Sequence, residues 1–430
     1  MGCFDLEEMW GVHEECGVFG IYNPAGDCAR DTYYGLYALQ HRGQESCGIA
    51  ANNHRDITCY KDMGMVGEVF SEEKLDELNG TMAVGHVRYS TAGGSKRENA
   101  QPLTLNYIKN NLALVHNGNL VNANALKREF ELKGSIFQTT ADTEVIAYAI
   151  ARQRLECKSI EEAVLKATRQ LVGAFSLIVM SGEKLIAARD PWGFRPLCIG
   201  RKGDAIYFSS ESCGLDSVGA EYIREVDPGE IVVVDKDGMR SDRTHVGEAE
   251  KASCVFEYIY FARPDSEIFG QSVHLARRNA GRLLAQEHAV EADLVIGVPD
   301  SGLDAALGYA QAGKQVTILE ALPDILSAGI PVPEMNDSML RDLLDEAGVV
   351  RRTGRRLSRV TEDGAVADGP DGEEKLPADH IVLAVGFAPR TSLAPELAGA
   401  GMEVYQVGDG SRVGSVMTAI GSAYTVGRML

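Results

Sequence analysis

Residues 293 to 321, DLVIGVPDSGLDAALGYAQAGKQVTILEA, set a strand, a glycine-bearing turn, a helix, a second strand and an acidic residue in the order of a dinucleotide-binding unit. That chemistry asks for G-x-G-x-x-G, whose middle glycine lets the backbone come close to a pyrophosphate. Gly297, Pro299 and Gly302 fill the three places here. Pro299 has a ring where the ligand should lie and no N–H to offer, although Glu320, 18 residues after Gly302, has the acidic spacing. A second set of residues suggests different chemistry. Cys16 is a small core thiol or a nucleophile. Asn117-Gly118 is a hairpin turn or a pair of hydrogen-bond donors, Arg88 a surface ion pair or a carboxylate clamp, Asp142 a helix cap or a partner for an ammonium group. Taken singly, each keeps both readings.

The elements that must carry these residues change in character along the chain. From about 16 to 250 short apolar runs are punctuated by glycine, which predicts mostly strands. AFSLIVM, SGEK and LIAAR form a hairpin, with Gly182 in the turn. Two helices are expected, one from near Asp142 and one from near Ser159, where Ser159 and Glu162 have capping-box spacing ahead of Ile160, Ala163, Val164, Ala167 and Leu171. From 254 to 311 the rhythm is α/β: the helical stretch VHLARRNAGRLLAQEHA, a strand Leu294 to Val298, and a helix with Leu303, Ala306, Leu307 and Ala310 on one face. After Gly313 a charged region, RVTEDGAVADGPDGEEKLPADHIVLAVG, is cut by Gly and Asp into successive turns.

Composition bounds the function. At 430 residues the chain should hold two or three domains, and 45% apolar with 24% charged residues is the balance of a globular protein. A net charge of −20 disfavours nucleic acid as a partner. No apolar run has the length of a signal peptide or a membrane span, so the expected location is cytoplasmic, with no membrane partner. The nine cysteines are unevenly spaced, lack a CxxC pair and end at Cys254, which argues against a disulfide framework or a self-contained zinc site.

The motifs EECGVFGIYN, YYGLYALQHRGQESCGIA, GHVRYSTAG, VHNGNL and TTADTEV together resemble the glutaminase half of the amidophosphoribosyltransferase family, which opens purine biosynthesis, over residues 16 to about 310. The resemblance implies an α+β N-terminal-nucleophile αββα sandwich over 16–250, preceded by a propeptide, 1–15. Removing the propeptide makes Cys16 the first residue, and its α-amine, with an ordinary pKa of about 7.7 to 8.0, becomes the base for its own thiol. The implied substrate is glutamine, attacked by Cys16, with Asn117 and Gly118 holding the oxyanion, Arg88 the α-carboxylate, Asp142 the α-ammonium, and Thr91 adding a hydroxyl contact. Residues 254–311 resemble the start of the family's transferase half, including CVFEYIYFARPDS and GVPDSG, and the resemblance ends there. No Asp-Asp pair follows to hold Mg2+ and phosphoribosyl pyrophosphate (PRPP), so both are disfavoured. Cys254 matches the first cysteine that binds a 4Fe-4S cluster in some members, and no later cysteine supplies the remaining thiolates.

Residues 313–430, with GKQVTILEALPDIL, LPADHIVLAVGFAPRTSL and VYQVGDGSRVGSVMTAIGSA, resemble the C-terminal part of FAD-dependent NAD(P)H oxidoreductases of the enoate reductase type. In that family the counterpart of Glu320 meets the nucleotide ribose and that of Asp409, after Gly408, lies near the flavin ribityl chain. The barrel and the first flavin-phosphate loop have no counterpart in the sequence, so NAD(P) and FAD are disfavoured. The expectation is an α/β parallel-sheet domain of hybrid origin: a chimera whose first part is a glutaminase, with an oxidoreductase fragment or a non-catalytic fusion product as the alternatives. A homo-oligomer is compatible with either parent.

Overall fold

The computed structural model describes residues 16–53, 56–78, 80–89, 96–107, 110–290, 295, 297, 301–312, 317–325, 338, 341–342, 344–345 and 349–378. It divides into two units, Met1–Ala312 and Gly313–Leu430. The first unit begins with β1 (Gly17–Tyr22), α1 (Cys28–Ala38), β2 (Ser46–Asn53), β3 (Asp56–Met63), α2 (Val66–Val69), α3 (Glu72–Glu77) and β4 (Met82–Arg88). It continues with β5 (Leu103–Tyr107), β6 (Asn110–Leu120), α4 (Ala123–Leu132), α5 (Asp142–Glu156), α6 (Ile160–Thr168), β7 (Gly173–Ser181) and β8 (Leu185–Arg189). After these come β9 (Cys198–Lys202), β10 (Ala205–Ser209), α7 (Ser212–Asp216), β11 (Glu221–Glu225), β12 (Ile231–Asp235) and β13 (Gly238–Asp242). A short hairpin, β14 (Glu267–Ile268) and β15 (Gln271–Ser272), leads to α8 (Val273–Glu287) and α9 (Gly302–Gln311).

Two antiparallel sheets, ordered β11-β9-β10-β1-β4-β2-β3 and β13-β12-β8-β7-β6-β5, make the centre of a helix–sheet–sheet–helix sandwich. The period-2 alternation of strands assigns each side chain to a layer. In β1, Val18 joins Ala113, Val115, Ile178 and Met180 between the sheets, while Phe19 and Ile21 face Leu36 and Leu39 at α1. In β7, Phe175, Leu177 and Val179 face Val145, Ile150 and Val164 of α5 and α6 on the opposite outside. Both faces of the central strands are buried, which is why AFSLIVM reads as a continuous apolar run.

The hairpin appears as β7 and β8, paired antiparallel from Ser176↔Arg189 to Met180↔Leu185. Ser159 caps α6, its hydroxyl accepting from Glu162 N, while the Glu162 carboxylate reaches the Lys158 N–H one residue before the expected partner. Five α-helices among the described residues, α1, α2, α3, α4 and α7, were not anticipated. α1 contains Thr32, Tyr33, Tyr34 and Gly35, residues of modest helix preference, and forms because Cys28, Ala29, Thr32, Gly35 and Leu36 make a buried stripe. α4 buries only Phe130.

The last two helices of this unit form where expected. Leu303 and Leu307, on the apolar face, are 50% and 44% exposed. The helices meet instead through glycines: a Cβ on Gly281 would lie 1.8 Å from Ala305 O, and one on Gly308 2.0 Å from Arg278 O. Backbones this close tolerate no side chain, so glycine position selects the face. The expected strand Leu294–Val298 and Pro299 fall largely outside the described residues.

In the second unit β16 (Thr317–Leu319) pairs in parallel with β17 (Val350–Arg352). A three-stranded antiparallel sheet follows: β18 (Arg356–Thr361), β19 (Gly364–Gly369) and β20 (Gly372–Pro377). Its turns fall at Glu362-Asp363 and Pro370-Asp371, as the Gly and Asp punctuation indicates. Among the described residues no helix is long and apolar enough to cross a membrane.

Candidate active site

Cys16 stands immediately before β1, a central strand of the first sheet, and is 7% exposed. Gly17 is in register with Val87 of antiparallel β4, so the start of β1 lies beside the end of β4. There the Cys16 thiol reaches the carbonyl of Tyr89 at 3.4 Å. Arg88, the last residue of β4, is 3% exposed, with Nη1 3.9 Å from Glu45 Oε2. It is therefore a buried cation and not a surface pair.

A buried histidine ties this end of β4 to the second sheet. His86 Nε2 donates to the carbonyl of His116, 3.1 Å away, on β6. Burial, with a smaller push from nearby Arg88, pulls the imidazole down to about 3, so it is neutral at ordinary pH. The next residues of β6 are Asn117 and Gly118, paired with Ser176 and Phe175 of β7 inside a continuous strand. The hairpin-turn reading of Asn-Gly is thereby excluded. Asn117 is fully buried, yet neither its amide nitrogen nor its amide oxygen has a hydrogen-bond partner. Leaving such atoms unpaired costs on the order of 1–3 kcal/mol, a cost a bound ligand relieves. Gly118 has φ +147°, and a Cβ there would sit 2.1 Å from Ala174 O, so only glycine fits.

Asp142 is the first residue of α5; the capping position belongs to Ala141, which makes no side-chain cap bond. Its carboxylate turns back to β6, accepting from Leu120 N at 3.0 Å and lying 3.4 Å from His116 Nδ1. Burial works to raise this carboxyl, but His116 and the N–H groups of Leu120 and Thr143 outweigh it and hold it below the ordinary value. Asp142, Asn117 and Gly118 thus converge at one end of β6, and His86 links that end to the strand flanking Cys16. Thr91 lies outside the described residues, as does Asp409.

The residues expected at cofactors have local partners of their own. Cys254 is half-buried in the segment before α8, its N–H donating to Phe194 O. No group of three or more His, Cys, Asp or Glu side chains suited to a metal occurs among the described residues. Cys213, the preceding cysteine, is buried against Ala38 O and Glu211, with its thiol pushed well up by burial. A four-thiolate cluster does not fit this donor set. Glu320 follows β16 and spends its carboxylate on Leu322 N at 2.9 Å. Gly297 lies tight against α9, where a Cβ would be 2.8 Å from Gly302 O, the close packing a dinucleotide loop requires, but Pro299 brings no N–H to that loop.

Sequence reasoning passed over Arg42, a fully buried cation that donates to the carbonyl of Cys16. Its acidic partners lie 169 and 215 residues away in the chain, and no local signal announces them.

Two families match different parts of the chain. Residues 86–217 match the glutamine amidotransferase domain, and residues 267–418 match the pyridine nucleotide-disulphide oxidoreductases. An amidophosphoribosyltransferase of Bacillus subtilis is 49% identical over 308 residues, 71% of this chain and 64% of that protein. One from Archaeoglobus fulgidus is 47% identical over 360 residues, 82% of this chain and 77% of the relative. A solved allosteric regulatory enzyme of purine biosynthesis superposes with a TM-score of 0.66 at 37% identity, covering 90% of this chain and 88% of its own. The glutamine PRPP amidotransferase of B. subtilis, solved with ADP and GMP, gives 0.65 at 35% identity, covering 90% of each chain. The chain spans a little under two thirds of the length of several curated relatives it matches. On these grounds the chain belongs to the amidophosphoribosyltransferase family of class II glutamine amidotransferases, and carries toward its C-terminus a region of the oxidoreductase type.

Proposed function

We propose that this protein is a glutaminase that hydrolyses glutamine to glutamate and ammonia through a Cys16 thioester. The observation that carries the reading is the unpartnered, buried amide of Asn117 beside Gly118, at the strand end tied through His86 to the strand flanking Cys16. Removal of residues 1–15 frees the α-amine of Cys16, which takes the thiol proton. The thiolate attacks the side-chain amide carbon of glutamine, and the carbonyl electron pair moves onto oxygen, held by the Asn117 amide and the Gly118 N–H. The protonated amine returns its proton to the leaving nitrogen and ammonia departs. Water then enters, gives a proton to the amine and displaces the thiolate, which takes that proton from the amine, so sulfur and base return to their starting states. Arg88 pairs with the substrate α-carboxylate and Asp142, held ionised, with its α-ammonium.

In this proposal the ammonia has no acceptor within the chain, since no paired aspartates follow GVPDSG to hold Mg2+ and PRPP. The test combines ammonia release with intact-mass labelling by a diazoketone analogue of glutamine. Processed protein should take one label and release ammonia at a rate independent of PRPP. Cys16→Ala, and any chain retaining residues 1–15, should do neither. Turnover by unprocessed chain, or formation of phosphoribosylamine, would refute the respective parts of the reading.

The match over residues 267–418 favours a second reading, an oxidoreductase. Flavin absorbance in the purified protein together with NADH-dependent dye reduction would support it. The proline at the middle position of the phosphate loop weighs against nucleotide binding there.

A further inference from the structure

One buried cluster has no task in the reaction above. Arg42 ends the helical turn Gln40–Arg42 that follows α1, and it is 1% exposed. Its Nε donates to Cys16 O at 3.1 Å. Nη1 donates to Glu211 Oε1 at 2.6 Å and to Glu257 Oε2 at 2.9 Å, while Nη2 donates to Glu257 Oε1 at 2.8 Å. Both carboxylates are completely buried. His41 Nε2 lies 2.8 Å from Glu211 Oε1, and Arg195 Nη1 3.4 Å from Glu257 Oε1. The other Glu211 oxygen accepts from Ser266 Oγ at 2.6 Å and Arg263 N at 2.9 Å. Every edge of the guanidinium is engaged, so rotating it would strand a charge away from water.

The position of Cys16 explains why such a clamp matters. Ladder pairing of β1 starts at Gly17, so Cys16 lies beyond the first paired residue, where a newly cut chain end would fray. Its carbonyl, amine and thiol-bearing Cβ all hang on one Cα, and a donor fixed on the carbonyl holds ψ, which narrows the directions in which the amine and Cβ can point. Glu257 belongs to a strap outside the two-sheet sandwich. The strap is bound by Ala252 N to Trp192 O, Cys254 N to Phe194 O, Glu267 N to Ser212 Oγ and Phe269 N to Glu225 Oε1. We propose that Glu257 is a positioning residue for Cys16, acting through Arg42, so that the strap leading to α8 sets the aim of the nucleophile. This rests on the glutaminase reading.

The test uses full-length processed protein and reads the modification of Cys16 by intact mass, with the diazoketone glutamine analogue as probe and glutamine hydrolysis in parallel. In Glu257→Gln the fork loses its charge and faces amide hydrogens. The expected result is one label on every chain at a rate about 10- to 100-fold below wild type, with kcat falling in step and KM for glutamine within about twofold. Full labelling at the wild-type rate would overturn the proposal. So would wild-type rate on only a fraction of chains, the signature of a strap that merely supports folding. If the Gln variant does not fold, Glu257→Asp, which keeps the charge and withdraws the fork by one methylene, is read in the same way and should also be slowed at full labelling. A wild type whose Cys16 takes no label would instead remove the glutaminase reading on which the inference rests.

Discussion

The sandwich and the region beyond α8 differ in how many of their residues are held from two sides. From Cys16 to Val273 three apolar layers run through the structure: α1 against the first sheet, sheet against sheet, and the second sheet against α5 and α6. Beyond Val273 the buried apolar residues among those described are Ile325, Ala365, Val366 and Ala367. Both regions form regular elements, because caps, turn residues and close-packed glycines act locally. The first surrounds its elements well enough to hold an unpaired amide at Asn117, a neutral buried His86 and a buried arginine between two carboxylates. Such features persist where neighbouring structure over-determines them.

The sharpest way to break this comparison is to remove one costly feature and ask whether chemistry or stability responds. Asn117→Ala is expected to lower kcat for glutamine hydrolysis by roughly 100- to 1,000-fold. Its thermal midpoint should hold or rise, since two unpaired buried atoms disappear. Steady-state kinetics and a melting curve check both. A large drop in stability with kcat intact would make Asn117 a structural residue.

A core deletion tests the other half. Leu177 is fully buried between β7 and the helix layer, and Leu177→Ala is expected to cost about 2–5 kcal/mol in urea unfolding. A loss below about 1 kcal/mol would mean that the outer layer is loosely packed.

Much of the sandwich was legible because its signals are local. AFSLIVM-SGEK-LIAAR specified a hairpin and Ser159 a helix start, and in the second unit the Gly and Asp residues between 362 and 372 marked successive turns in the same local way. α1 was not legible, since Tyr33, Tyr34 and Gly35 give no helical preference and the buried stripe matters only once the sheet exists. The site divides in the same way. Cys16, Arg88, Asn117, Gly118 and Asp142 sit in recognisable motifs, but pairing Arg42 with Glu211 and Glu257 requires the tertiary fold. In α9 periodicity marked the helix, but its contact with α8 comes from close approach at Gly281 and Gly308, which a leucine stripe does not announce.

His86 gives the comparison a pH axis. Burial lowers its folded pKa to about 3 from the ordinary 6.5. As pH falls below about 6.5 the unfolded chain takes up a proton that the folded chain refuses. The stability this histidine contributes is therefore complete above that pH and is lost progressively down to about 3. The loss is up to about 1.4 kcal/mol per pH unit. His86→Gln keeps a donor toward His116 O and removes the titration. Urea midpoints at pH 7, 6 and 5 should decline less steeply in the variant by about one proton's worth. Parallel declines would place His86 in contact with solvent.

The smallest expected effect lies on α9. Leu303 and Leu307 are about half exposed, and the helix is held to α8 by backbone contacts at glycines that these leucines do not share. Leu303→Lys should therefore change stability by no more than about 0.5 kcal/mol, whereas Gly308→Ala, placing a methyl 2.0 Å from Arg278 O, should separate the two helices. The pair of variants distinguishes the causes directly. If the lysine destabilises by more than about 1 kcal/mol while the alanine is tolerated, the leucine stripe is the true packing face and the contrast between the two regions fails.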